Sequence, residues 1–127
     1  MKKDQYLKKA TMWAENKATD SLKTIYKGFE DPKIFTNKAT QEEIQADMSY
    51  ITSSGAKHYS DIALKTENTK KLVSKWKLLS FMASSKRGKL HLLAPNGHKA
   101  FTRKLMDRHN INAQIHSLYQ PISEASE

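Results

Sequence analysis

Between Tyr6 and Phe29 apolar side chains recur every three or four residues, as Leu7, Ala10, Ala14, Ala18, Leu22, Ile25 and Phe29 with Trp13 beside them. That spacing predicts one long amphipathic helix. Gly28 and the pair Asp31-Pro32 close it, Lys33 to Asn37 reads as a short strand, and Lys38 to Glu43 as a polar loop. From Ile44 to Glu67 the period changes to two, around the turn-forming run Ser53-Ser54-Gly55-Ala56-Lys57, which predicts a β-hairpin. Its even positions are apolar (Ile44, Ala46, Met48, Tyr50, then Ile62 and Leu64) and its odd ones polar (Gln45, Asp47, Ser49, then Asp61, Lys65 and Glu67). One face is therefore expected to be buried and the other wet. If Thr52 stands opposite His58, Asp47 faces Ala63 and has Asp61 and Lys65 as diagonal neighbours, roughly 7 Å away at the backbone.

Beyond the hairpin, Leu72, Val73, Trp76, Leu79 and Ala83 mark a helix from Thr69 to Ser85, stopped by Gly88. In that phase Trp76 belongs to the core. Leu90 to Ala94 is a short apolar run between Gly88 and Pro95 and reads as a buried strand. A third helix follows from about Gly97 to His109 on Phe101, Leu105 and Met106, then a last strand from Ala113 to Leu118. The order α-β-β-β-α-β-α-β predicts an α/β fold, an α+β mixed sheet with helices packed on it.

A chain of 127 residues suits a single domain, taken as 1–119, with a polar tail at 120–127. No apolar run approaches the roughly 20 residues of a membrane span, and Lys2-Lys3 leads into Asp4-Gln5 instead of a signal-peptide apolar stretch. A cytoplasmic protein without a membrane partner is expected. With no cysteine, thiol nucleophiles, disulfides and zinc fingers are excluded, and the five histidines show no close metal-ligand spacing along the chain. Neither a Gly-x-Ser-x-Gly elbow nor a phosphate-binding P-loop occurs.

The net charge of +9 is unevenly spread. Residues 1–56 carry nine basic against eight acidic side chains, whereas residues 57–109 carry thirteen against three. A surface that meets phosphates has this local excess, so nucleic acid is the expected partner, DNA in preference to RNA. Lys70 and Lys71 at the start of the second helix, Lys75 and Lys77 flanking its stripe, Lys86 and Arg87 beyond its end, and Lys99 at the third helix are the candidate phosphate contacts. A solvated face, or a basic interaction protein with an acidic partner, is the alternative.

A carboxylate in one hairpin strand (Ala46-Asp47), a lysine in the next (Ile62-Ala63-Leu64-Lys65) and a following helix with Ser74-Lys75-Trp76-Lys77 give a pattern that resembles the restriction-endonuclease-like PD-(D/E)XK phosphodiesterase superfamily. The resemblance implies that core fold across residues 4–118, metal-dependent phosphodiester hydrolysis with Mg²⁺ or Mn²⁺, and in many members a homodimer. Carried over, Asp47 is a metal ligand and Lys65 the catalytic lysine. The sequence departs from the motif at its second acid, which falls on Ala63. Asp61 and Glu67, one two-residue step to either side, are the substitute metal ligands, and Glu15 or Asp20 in the first helix are acids the superfamily often places nearby. A member that has lost cleavage and kept binding is the alternative the missing acid raises.

Overall fold

A computed structural model describes residues 3–118, so the expected tail at 120–127 lies outside the described residues. Helix α1 (Asp4–Lys17) buries Leu7, Ala10, Thr11 and Ala14, the stripe the spacing predicts, but it stops twelve residues before Phe29. Ala18 is extended, and the backbone N–H groups of Thr19 and Asp20 donate to the carbonyl of Ile51. Thr19, Asp20 and Ser21 favour caps and turns over helix interiors, and the next residues have a better use for their backbone in a sheet. Strand β1 (Leu22–Thr24) pairs antiparallel with β4 (Met48–Ile51), and the Thr24 and Thr11 hydroxyls meet at 2.9 Å to tie it to α1.

The expected loop at 38–43 is shorter than predicted. Strands β2 (Ile34–Asn37) and β3 (Glu42–Gln45) form a separate two-stranded antiparallel sheet. The first run of the hairpin is therefore split. Ile44 and Ala46 pack on the α2 side of the molecule, Met48 and Tyr50 on the α1 side, and the chain changes faces at Asp47. Alternation of period two cannot register such a crossing, because the even positions stay apolar through it.

Strand β5 (Lys57–Ile62) pairs antiparallel with β4 as Met48↔Ser60 and Tyr50↔His58. The loop is tightened by Thr52 N–H to the Ala56 carbonyl and Gly55 N–H to the Thr52 carbonyl, with Gly55 at φ +85°. Its register lies two residues from the expected one, which brings Asp47 level with Asp61 instead of Ala63. The strand ends at Ile62, so Lys65 and Glu67 lie beyond it.

Helix α2 (Thr69–Ser85) starts on an Asn68 cap that accepts from Lys71 N–H and buries Val73, Trp76, Leu79 and Ala83. Strand β6 (Leu90–Pro95) is buried throughout and parallel to β5; α3 (Lys99–His109) returns the chain to β7 (Gln114–Leu118), parallel to β6. The sheet order is β1-β4-β5-β6-β7, a mixed five-stranded sheet with α1 on one face and α2 and α3 on the other. Its central strands are covered on both sides, which overturns the wet face expected for the odd positions: Tyr59 is 1% exposed and Asp61 0%.

The turn from α2 into β6 leaves no room for a side chain. A Cβ on Gly88 would lie 1.7 Å from the Lys57 carbonyl oxygen. Gly88→Ala is expected to force the turn from β5 and cost about 1–3 kcal/mol, read as a lower urea midpoint. An unchanged midpoint would mean that this approach is not tight in solution.

Candidate functional site

The level register and the crossing at Asp47 put two carboxylates side by side in the interior. Asp47 is 2% exposed, and its backbone N–H donates to Asp61 Oδ1 at 3.1 Å. Asp47 Oδ2 in turn accepts the Ile62 N–H at 2.8 Å, so each acid is held by a backbone N–H from the other's segment.

Two ammonium groups compensate them. Lys3, at the start of α1, places Nζ 3.2 Å from both Asp47 oxygens. Lys75 of α2 places Nζ 3.1 Å from Asp61 Oδ2, which also accepts the Trp76 indole N–H at 3.0 Å. Two buried negative charges are thus balanced by two part-buried positive ones, the arrangement that offsets the cost of removing the carboxylates from water.

Burial, and then the charge of Asp61, push the Asp47 carboxyl up to about 6, against the pull of Lys3 and Lys75. Burial also opposes ionisation of Asp61, but Lys75, Lys3 and the hydrogen bonds from Trp76 and Lys75 outweigh it and hold that carboxyl below its usual range. The two titrate as a pair, with Asp61 the persistent anion and Asp47 the first to take a proton. Burial works likewise against the Lys3 ammonium, and the charges of Asp61 and Asp47 more than restore it.

Of the residues expected to act together, Asp47 and Asp61 meet, and Lys75 joins them as an ion-pair partner of Asp61. Lys65 is exposed, and its backbone N–H donates to His98 Nδ1 at 2.9 Å; Glu67 is exposed in the bend before α2. Lys70, Lys71, Lys77, Lys86, Arg87 and Lys99 are all on the surface. Arg87 donates to the Ser54 carbonyl and clasps the hairpin turn, and Lys99 Nζ donates to Ser117 Oγ. Lys3 was not foreseen, because nothing local links it to an acid 44 residues away.

Among the described residues no three His, Asp or Glu side chains gather as a metal-holding group. Mg²⁺ and Mn²⁺ need fewer protein ligands than that, since one or two carboxylates with waters and a substrate phosphate suffice. The Asp47 oxygens carry the Lys3 ammonium and the Ile62 N–H, and those of Asp61 carry the Asp47 N–H, the Trp76 indole and the Lys75 ammonium, so a hard cation would enter only in place of an ammonium.

A second polar group lies on the α1 face. His58 Nδ1 and His91 Nε2 are 3.2 Å apart, and His91 Nδ1 and His116 Nε2 are 3.0 Å apart. Because His58 Nδ1 also accepts the Lys89 N–H, the consistent assignment has each Nε2–H donating to the next ring's Nδ1, with His91 neutral. Trp13 covers His91 and His116, with ring centroids 5.5 and 5.0 Å away, and Tyr50 stacks on His58 at 5.0 Å. Strand parity places the three on one face only once the parallel pairing of β5, β6 and β7 is known.

No helix among the described residues is long and apolar enough to cross a membrane. No protein-family model, no curated protein and no solved structure matches the chain.

Proposed function

We propose that the chain is a nucleic-acid-binding protein with a restriction-endonuclease-like core, related to the PD-(D/E)XK phosphodiesterases, and that it hydrolyses phosphodiesters with Mg²⁺ or Mn²⁺ at the Asp47–Asp61 pair. The observation that carries the reading is the pair itself: two buried carboxylates, Asp61 in β5 and Asp47 in the bend just before β4, with ammonium groups against them, in a chain whose positive excess favours phosphate. The order of the five-stranded sheet, with a helix connecting each parallel strand pair, supports it.

In this reading Asp47 and Asp61 hold the cation. The role the motif gives to a strand lysine passes from Lys65 to Lys75, which reaches the second acid from the following helix. A bound divalent cation supplies charge neutralisation at the phosphate and a more acidic water. Lys75 keeps Asp61 ionised and adds positive potential beside it, while the indole of Trp76 fixes the carboxylate's orientation. Lys3 covers Asp47 and must yield its place, so Lys3→Met is expected to tighten Mn²⁺ binding about tenfold in a calorimetric titration. Equal or weaker binding by that variant would remove Lys3 from the site.

A catalytically inactive nucleic-acid-binding module is the second reading, and one observation favours it: Asp61 is fully buried and its two oxygens already receive three protein donors. Labelled single- and double-stranded DNA and RNA, incubated with Mg²⁺ or Mn²⁺, separate the two. Cutting that is lost in Asp47→Asn while binding persists identifies the enzyme, with DNA the preferred substrate. Binding without cutting identifies the inactive module. Absence of both sinks the nucleic-acid reading and leaves a basic interaction protein.

A further inference from the structure

Away from the acid pair, four lysines from four separate segments converge on the α2 face of the sheet. Lys57 opens β5, and its backbone N–H donates to the Lys86 carbonyl at 3.2 Å, which brings the end of α2 beside it. Its Nζ lies 5.4 Å from the centre of the Tyr59 ring, and Lys33 Nζ lies 5.5 Å from the centre of the Phe35 ring. Those two rings meet edge to face, 6.1 Å apart. Lys23 arrives from the opposite side, since Lys23 pairs with Ser49 and Ser49 with Tyr59 across β1, β4 and β5. Tyr59 and Phe35 thus form a floor around which Lys23, Lys33, Lys57 and Lys86 are set.

The four charges are poorly compensated. Lys23 pairs with Glu30 at 3.6 Å, but that acid's side chain is 77% exposed. Among the described residues Lys33, Lys57 and Lys86 have no acidic partner within ion-pair distance. Burial and the nearby charges of Lys23, Lys33 and Lys86 all lower the Lys57 pKa, as expected where like charges crowd without counter-ions. Such a patch lowers its own repulsion by taking up a polyanion.

We propose that Lys23, Lys33, Lys57 and Lys86 form a second contact for the sugar–phosphate backbone of a nucleic acid, at the open end of β5. This rests on the nucleic-acid reading above but not on cleavage. Lys57, Tyr59 and Asp61 alternate along one face of the strand, so the patch lies about 13 Å from Asp61, which itself is buried beneath α2.

Fluorescence anisotropy of labelled 20-mers in EDTA, from 50 to 200 mM salt, tests it without metal or turnover. The double variant Lys33→Gln with Lys57→Gln is compared with a control of equal charge loss elsewhere, Lys8→Gln with Lys104→Gln. The patch variant should lose about tenfold or more in affinity and flatten the slope of log K against log salt by about 1.4–1.8, while the control changes little. Wild-type slope in the patch variant, or an equal loss in the control, overturns the patch and leaves nucleic-acid binding standing. Equal wild-type affinity for polyglutamate assigns the patch to acidic proteins and also overturns it. A wild-type protein that binds neither DNA nor RNA overturns both readings.

Discussion

Lys75→Met is expected to destabilise the fold by about 3–5 kcal/mol at pH 7. Asp61 is fully buried, and methionine in place of Lys75 leaves Asp61 Oδ2 with the Trp76 indole alone while Lys3 still faces Asp47. A buried carboxylate cannot recover solvation there, so it either stays charged at high cost or takes a proton and loses its hydrogen-bond pattern. Lys75→Met combined with Asp61→Asn should recover part of the loss, because the amide keeps an acceptor for the indole without a charge to compensate, while its NH2 in place of Oδ1 leaves the Asp47 N–H without an acceptor. Urea unfolding of the two single variants and the double variant measures the coupling. A Lys75→Met protein within about 1 kcal/mol of wild type, on the same analysis, would show that the ion pair is not buried as described.

The other large effect concerns acid. Burial first, then the charges of His116 and His58, push the His91 pKa down to about 3, against an ordinary 6.5. A base whose folded pKa lies below its unfolded one binds fewer protons when native. Its favourable contribution is complete above pH 6.5 and is lost as the pH falls from 6.5 toward 3. A pKa displaced from 6.5 to about 3 caps the loss at about 5 kcal/mol, and partial hydration of the ring reduces it to a few. His58 and His116 are lowered in the same direction, with burial the leading cause for both.

Asp47 acts with the opposite sign. Its raised folded pKa means that the native state gains protons relative to the unfolded chain between about 3.8 and 6, so its contribution grows on acidification. Stability measured by urea at pH 7, 5.5 and 4.5 should therefore fall less steeply in wild type than in Asp47→Asn. It should be flattest in His91→Gln. The same acid sensitivity in His91→Gln as in wild type would rule out the imidazole row as its source.

How far the sequence foretold this site follows from what periodicity can report. The stripe Val73, Trp76, Leu79 and Ala83 recurs at helical spacing and is the buried face of α2, and Leu90 to Ala94 lies within a strand buried on both faces. The end of α1 was hidden because Leu22 and Ile25 continue the helical spacing by coincidence while serving the sheet. The face change at Asp47 was hidden because even positions remain apolar through it. Asp47 and Asp61 could be singled out as acids among apolar neighbours, but their burial depends on helices that cover both sides of β5. The ammonium groups come from the start of α1 and the second turn of α2, and no local pattern links either to its acid.

Lys75 and Trp76 are consecutive, yet both reach the same oxygen of Asp61. Since each residue advances an α-helix by about 100°, only one azimuth of α2 satisfies both donors. The count that is fixed is therefore the one within α2: adding or deleting a single residue between Val73 and Lys75 would put the apolar stripe out of phase with the two donors, whereas lengthening 63–68 leaves the helix free to redock in phase.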